Sequence, residues 1–244
     1  MKFLIILFSF NSFAMTGVEL AQKVYDRPDG NSSWSSVVMK LEGKGREDKE
    51  RTLEIIRRDN QKGSVSSLIT FNSPKRVQGI KLLTVDEKGE NVSQMIYLPA
   101  LKASKRIASS SKDGRFVGSE IFYEDLRDRV VSYDNHKLLA DGKFMGKRDC
   151  YKLESLPVDV KNSTYSKKLS CIDKETFIPL EIEMYDQKGS LWKVFKVKSM
   201  KNINGIWTVM SSEMKDIQSD KATTLIINEI EYDSKKVPSE ISLK

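Results

Sequence analysis

The sequence contains little of what enzymes and metalloproteins commonly require. His136 is its only histidine, and its two cysteines do not form a C-x-x-C motif. Zinc sites are built from clusters of cysteine and histidine, so we expect no metal site. The sequence also lacks a G-x-S-x-G nucleophile elbow and a glycine-rich phosphate-binding loop. These absences predict a protein that is not an enzyme and needs no cofactor.

The titratable residues that remain do not suggest catalysis. A Ser-His-Asp arrangement through His136 is possible on paper, but this histidine lies in a polar stretch at the start of a strand-like segment. Glu124 and Asp125 are adjacent carboxylates, and adjacent helical residues point about 100° apart, which suits an acid/base pair poorly. Helix capping and contact with solvent explain these two carboxylates better.

No hydrophobic run resembles a membrane span. The apolar run Phe3 to Phe10 is far too short to cross a bilayer, which takes about 20 residues. It follows Lys2 and precedes the small-x-small motif Ser12-Phe13-Ala14. This order is typical of a secretory signal peptide, with a buried N-terminal strand as the alternative. We therefore expect residues 1–14 to be removed, and residues 15–244 to form one domain in the periplasm without a transmembrane anchor.

The charge of the chain is positive but dispersed. Forty-one Lys and Arg against 34 Asp and Glu give a formal net charge of +7. Such a balance favours anionic membrane surfaces or anionic ligands, and it equally describes an ordinary solubilising surface. Export and the lack of a basic run interleaved with aromatic residues argue against nucleic-acid binding.

Cys150 and Cys171 remain in the exported chain. An oxidising compartment makes a single disulfide between them the default, and both lie in strand-like segments that could be neighbours. The bridge would close a loop of about 20 residues and stabilise the fold by roughly 3 kcal/mol in the chain-entropy model.

After a short helix capped by Thr16, the patterning is that of antiparallel strands. The clearest alternation runs from Ile178 to Met184, where apolar residues alternate with more polar ones. Asp86 to Gly89 and Asp186 to Gly189 suit type I hairpin turns. The fold class is therefore mainly β with a few helices. About ten or eleven strands should curl into an open antiparallel barrel with an N-terminal helix and a short helical lid.

Several short motifs, taken in order, are similar to those of the LolA-like family of outer-membrane lipoprotein-sorting proteins. They are Phe71–Pro74 with Gly79, Tyr97–Leu101, Arg106-Ile107, Gly118-Ser119 with Tyr123–Leu126, and Tyr185-Asp186 with Gly189. The family resemblance implies the same open barrel. It also implies a cavity that shields acyl chains of lipoproteins or lipids from water between the inner and outer membranes.

The alternation and this resemblance together predict a lipid-binding cavity covered by a lid. Ser119 is the expected N-cap of the lid helix. The candidate lining residues on the N-terminal half are Val37, Met39, Leu41, Leu53, Ile55, Ile69, Phe71, Met95 and Tyr97. Those on the lid are Phe122, Tyr123 and Leu126. Apolar residues in strands also make ordinary cores, so both readings of this set stay open.

The leading hypothesis is a periplasmic carrier that takes acyl chains toward the outer membrane. Its partners would be the acylated cargo, an inner-membrane transporter and an outer-membrane acceptor. The alternative is a non-catalytic accessory subunit of a membrane export system of the resistance–nodulation type, without lipid cargo of its own. A dry, filled interior with Phe122 and Leu126 locked in place would favour the alternative.

Overall fold

The computed structural model describes residues 15–43, 45, 50–60, 64–87 and 91–243. The predicted signal peptide at residues 1–14 lies outside them. The described chain contains one α-helix, α1 (Gly17–Tyr25), and is otherwise dominated by strands. They are β1 (Ser32–Glu42), β2 (Glu50–Asp59), β3 (Val65–Ser73), β4 (Lys81–Glu87), β5 (Asn91–Leu98), β6 (Ala103–Arg106), β7 (Asp134–Leu138), β8 (Gly142–Phe144), β9 (Arg148–Pro157), β10 (Lys167–Asp173), β11 (Pro179–Tyr185), β12 (Leu191–Ile203), β13 (Ile206–Asp216) and β14 (Lys221–Tyr232).

The strands form one open antiparallel sheet of 14 strands. Their order is β6-β5-β4-β3-β2-β1-β14-β13-β12-β11-β10-β9-β7, with β8 paired to β9. The mainly β, open-barrel class expected from the sequence is confirmed, although the strands are more numerous than ten or eleven. The short strands β6 and β8 carry no alternation of their own and were not expected.

The helix α1 begins as its sequence predicts. The Thr16 side chain accepts a hydrogen bond from Glu19 N at 3.2 Å, and Glu19 reciprocates by accepting from Thr16 N at 2.7 Å. This capping box satisfies donors that the first helical turn leaves free. Leu20 and Ala21 then bury one face of α1 against Leu153 and Ile172 on β9 and β10. None of the described helices is long and apolar enough to cross a membrane.

The hairpin turn after β11 also forms as predicted. Asp186 accepts hydrogen bonds from Lys188 N and Ser190 N, both at 2.9 Å, and Gly189 takes a φ of +81°. Glycine reaches that conformation without steric cost. The analogous turn Asp86 to Gly89 extends beyond the described residues.

Cys150 and Cys171 form the predicted disulfide, with a Cα–Cα distance of 5.4 Å. It links the neighbouring strands β9 and β10, and both cysteines are fully buried. The bridge therefore holds together the part of the sheet against which α1 packs.

Between β6 and β7 the chain leaves the sheet and crosses its concave side. We call this connection, residues 107–133, the plug segment. A short helical turn capped by Ser119 was expected here. The helical turn is present as the 3-10 helix Glu124–Leu126, but the predicted Ser119 cap is wrong. The segment consists of separate 3-10 turns, among them Phe116–Gly118 and Glu124–Leu126. Ser119 instead accepts a local hydrogen bond from Ile121 N at 3.2 Å.

Candidate functional site

The candidate lining residues on β1, β2 and β3 lie together in one packed core. Six of them are buried in a single apolar cluster, and Ile55 packs against it while half-buried; the six are Val37, Met39, Leu41, Leu53, Ile69 and Phe71. None of them lines the cavities described below. The N-terminal half of the sheet is thus filled by its own side chains and by the plug segment.

Met95 and Tyr97 are not brought together with that cluster. They alternate on β5 with Gln94 and Ile96, whose side chains are the buried ones. Successive residues of a strand point to opposite faces, so the two candidates lie on the other face of the sheet. The residues expected to face the core from β5 are therefore displaced by one position.

The aromatic residues of the plug segment are locked into the core. Phe122 is only 2% exposed, and its ring stacks on Tyr165 and meets Trp192 edge-on at a centroid distance of 5.1 Å. Phe116, which sequence reasoning missed, packs on Phe71 at 5.4 Å. Tyr123 packs half-buried against the same cluster. The segment is anchored by these rings and is not a loosely seated flap.

A buried ion pair between Lys193 and Asp125 holds the plug segment against the sheet. Lys193 on β12 has no exposed surface, and its ammonium donates to the Glu120 carbonyl at 2.6 Å. It lies 3.7 Å from the Asp125 carboxylate and 2.8 Å from the centroid of the Phe122 ring. Burial lowers the pKa of Lys193 to about 8, against the attraction of Asp125. Burial likewise raises the pKa of Asp125.

The neighbouring carboxylates are also satisfied by the fold. Asp125 accepts from Phe122 N at 2.8 Å and from the Tyr165 hydroxyl at 2.9 Å. Glu124 accepts from Ser163 Oγ and Thr164 N, both at 2.6 Å. The expectation that these two carboxylates face solvent is wrong, because both are held inside by hydrogen-bond donors.

An apolar cavity of about 310 Å³ lies on the other half of the sheet, where no lining residue was predicted. Its apolar walls come from β11, β12, β13 and the residue before β11. They are formed by Ile178, Pro179, Ile182, Met184, Phe195, Val209 and Met214. Beside it, Leu126 of the plug segment shares a smaller cavity of about 120 Å³ with Phe195 and Met214. Leu126 is thus the one candidate that lines a hollow described here.

A larger and more polar cavity of about 660 Å³ adjoins the apolar one. It lies between α1, the end of the plug segment, the strands β2 to β4 and the strands β9 to β11. Ile182, Pro179 and four basic residues line both cavities; the basic residues are Arg27, Arg127, Arg129 and Lys168. The two hollows therefore share a cationic border.

Asp86 is the most unusual group in the larger cavity. The residue is 5% exposed, and neither carboxylate oxygen has a hydrogen-bond partner among the described residues. Burial and the nearby Asp128 raise the pKa of Asp86 to about 6, and the attraction of Arg127 offsets only part of that rise. Buried carboxylates are normally paired, so this one needs an explanation.

His136 also lines the larger cavity, but in a structural role. One ring nitrogen lies 2.9 Å from Ser155 Oγ, and the other lies 2.9 Å from the Val131 carbonyl oxygen. Both nitrogens are thus used to hold the end of the plug segment against β9. No group of three or more His, Cys, Asp or Glu side chains in the described ranges is placed to bind a metal ion.

The open antiparallel sheet with its N-terminal helix is the fold of the LolA-like proteins to which this chain is similar. A family model described as an uncharacterized protein matches residues 63–241. The chain is 31% identical to an outer membrane lipoprotein-sorting protein domain from Vibrio parahaemolyticus, with a TM-score of 0.83 over 90% of this chain and 93% of that one. It belongs to the LolA-like family of outer-membrane lipoprotein-sorting proteins.

Two further solved structures share the fold. A DUF1329 family protein from Desulfovibrio piger is 27% identical, with a TM-score of 0.84 over 90% of this chain and 92% of that chain. A LolA superfamily protein from Nitrosomonas europaea is 19% identical, with a TM-score of 0.71 over 91% and 95%, and it shares the fold. A search of curated protein sequences finds no match.

Proposed function

We propose that this chain is a non-catalytic periplasmic carrier that binds the acyl chains of lipoproteins or lipids and passes them toward the outer membrane. Residues 1–14 would direct its export, and residues 15–244 would act as one carrier domain. A membrane transporter would supply the cargo, and an outer-membrane acceptor would receive it. The observation that carries the proposal is the apolar cavity of about 310 Å³ inside a LolA-like sheet.

The apolar cavity can supply the required binding energy without catalytic groups. Each methylene that moves from water to an apolar site contributes about 0.8 kcal/mol, so burying six or seven contributes roughly 5 kcal/mol. Met184 and Met214 suit variable chains, because the flexible thioether side chain adapts to irregular shapes. The volume is at the lower end of the range of about 300 to 1,000 Å³ typical of ligand sites.

The cargo would enter through the larger cavity and not from beneath Phe122. Phe122 is stacked and buried, whereas Ile182 lines both hollows. An acyl chain that passes Ile182 reaches the apolar walls while the plug segment stays seated. This route differs from the lid opening that the sequence suggested.

The proposal is tested by filling the passage. Ile182→Trp adds volume at a half-buried position that lines both cavities. Its matched control is Ile226→Trp on β14, which is also half-buried and lines none of the cavities described here. Full-length protein would be expressed in bacteria, purified from the periplasm and extracted for lipid analysis by mass spectrometry. Wild type and Ile226→Trp should carry acylated molecules, and Ile182→Trp should carry at least several-fold less.

The same measurement tests the alternative, a non-catalytic accessory subunit of an export system without lipid cargo. The densely packed core around Phe71 and Phe122 favours that alternative, because half of the barrel has no room for a ligand. Wild-type protein that is free of acylated molecules, and that ignores added acyl ligands, would replace the carrier proposal with it.

A further inference from the structure

The fold balances the cationic border between the two cavities only in part: Glu124 also lines the apolar cavity and attracts Arg127 and Lys168. Arg27, Arg127 and Lys168 line both hollows, and none of them forms an ion pair within 4 Å of a described carboxylate. Arg127 donates only through Nε, to Gln94 at 2.8 Å, and Arg27 Nε is buried without a partner among the described residues. Most of their N–H groups are therefore available to an anion.

Arg129, the fourth basic residue at this border, already has an anionic hydrogen-bond partner within the fold. Arg129 donates to both carboxylate oxygens of Asp134, at 2.6 and 2.7 Å. Such a two-pronged pair matches the planar fork of the guanidinium. A phosphate offers Arg27, Arg127 and Lys168 the same kind of acceptor that Asp134 offers Arg129.

Asp86, in the larger cavity, calls for a cation where the basic residues call for an anion. Its carboxylate lines the larger cavity but not the apolar one, so it lies farther from the acyl site than the cationic border. Both oxygens lack a donor among the described residues, and the carboxylate is close enough to Arg127 for each to influence the ionisation of the other. A ligand that carries a cation beside its phosphate would offer these oxygens a donor.

The order of these features is apolar cavity, cationic border and buried carboxylate. The anchor of a bacterial lipoprotein has acyl chains but no phosphate, and it would leave the cationic border unpaired. A phospholipid with a glycerol headgroup would satisfy the border but would bring no cation to Asp86. An ethanolamine headgroup carries a phosphate and, two carbons away, an ammonium with three donors.

We propose that the ligand of this site is a glycerophospholipid with an ammonium headgroup. Its phosphate binds at Arg27, Arg127 and Lys168, its ammonium binds Asp86, and one acyl chain occupies the apolar cavity. This inference rests on the carrier function proposed above and narrows its cargo from lipoproteins or lipids to an aminophospholipid.

The test is a competition among three ligands with identical acyl chains. Delipidated full-length protein is incubated with vesicles that contain equal amounts of phosphatidylethanolamine, phosphatidylglycerol and diacylglycerol, and the bound lipid is quantified by mass spectrometry. We expect about tenfold enrichment of phosphatidylethanolamine over phosphatidylglycerol, which equals about 1.4 kcal/mol. Both phospholipids should exceed diacylglycerol, which lacks the phosphate.

Two variants separate the parts of the headgroup. Asp86→Asn should keep total bound phospholipid near the wild-type amount and bring the ethanolamine-to-glycerol ratio close to one. Lys168→Gln should lower both phospholipids several-fold and leave diacylglycerol unchanged. The control is Lys167→Gln on the same strand, at a position that lines none of the cavities described here. Circular dichroism establishes that each variant is folded.

The outcomes distinguish this inference from the carrier function. Wild-type protein that retains none of the three ligands overturns both. Retained lipid with equal amounts of the two phospholipids, or a ratio that Asp86→Asn does not change, overturns the aminophospholipid assignment alone. If diacylglycerol binds as tightly as the two phospholipids, the phosphate site is overturned, and lipoprotein anchors become the favoured cargo.

Discussion

Replacing Asp86 with asparagine should stabilise the protein at neutral pH. Asp86 is buried, both of its carboxylate oxygens lack partners among the described residues, and its pKa is raised from 3.8 to about 6. Since one pKa unit corresponds to about 1.4 kcal/mol, ionising this group in the folded state costs roughly 3 kcal/mol. Asparagine removes the charge while keeping the shape, so a gain of about 1 to 3 kcal/mol is expected at pH 7.

The pH dependence of stability gives a second readout of the same group. The folded-state pKa of Asp86 lies above its unfolded value, so between about pH 4 and pH 6 the folded protein binds more protons than the unfolded chain. The contribution of Asp86 to stability is therefore most favourable at low pH and is lost as the pH rises through about 6. Asp86→Asn should remove this part of the profile.

The measurement is urea-induced unfolding of wild type and variant at pH 4 and pH 7. The gain from Asp86→Asn should be present at pH 7 and nearly absent at pH 4. The control is Asp113→Asn, at an exposed position that does not line this cavity, which should change stability by less than about 0.5 kcal/mol. A loss of stability in Asp86→Asn at pH 7 would refute the reasoning, because it would show that the ionised carboxylate has a partner.

Three other substitutions test the parts of the fold that hold the site. Asp125→Asn leaves the Lys193 ammonium buried without its carboxylate, so urea unfolding should show that the free energy of unfolding falls by about 3 to 5 kcal/mol. Adding Lys193→Met should recover most of this loss. A loss below about 1 kcal/mol would contradict the pairing. Replacing Cys150 and Cys171 together with alanine should cost about 3 kcal/mol in the same assay, from a bridge that spans 21 residues. Thr16→Ala should cost about 1 kcal/mol through the lost cap of α1, and an unchanged unfolding midpoint would count against the cap.

Features that depend on neighbours in the sequence were predictable. The capping box at Thr16 and the turn after Tyr185 use residues within four positions of one another, and both form as expected. The alternation from Ile178 to Met184 likewise produces a strand with an apolar face, because period-two burial is a local property. The open sheet follows from many such strands.

The site was less predictable because long-range partners decided it. On β5 the buried face contains Gln94, which donates to the Tyr123 carbonyl at 3.0 Å and accepts from Arg127 at 2.8 Å. A polar residue on the inner face made the opposite face, with Met95 and Tyr97, look more suitable for a core. No local sequence pattern indicates that a buried amide side chain will find its hydrogen-bond partners on a distant loop.

The same cause explains why the plug segment forms short 3-10 turns and Ser119 caps none of them. Phe122 N donates to Asp125, and the residues on either side of Phe122 form backbone hydrogen bonds with Phe116 and Gly114. Tyr165 and Lys193 reach the segment from distant parts of the chain. These tertiary contacts replace the regular hydrogen bonds of a helix. The cavity itself lies on strands whose residues carry no sign that they face empty space, since lining and core positions have the same composition.

The pairing of β1 with β14 has a consequence for how the chain must fold. Ser33 aligns with Tyr232 and Glu42 with Ala222, so residues separated by nearly the whole described chain meet at the middle of the sheet. Contacts of such wide sequence separation form slowly, because a long loop has to close first. Until the last strand is in place, β1 exposes an unpaired edge, and strand exchange between two half-finished molecules becomes the main hazard on the way to the native state.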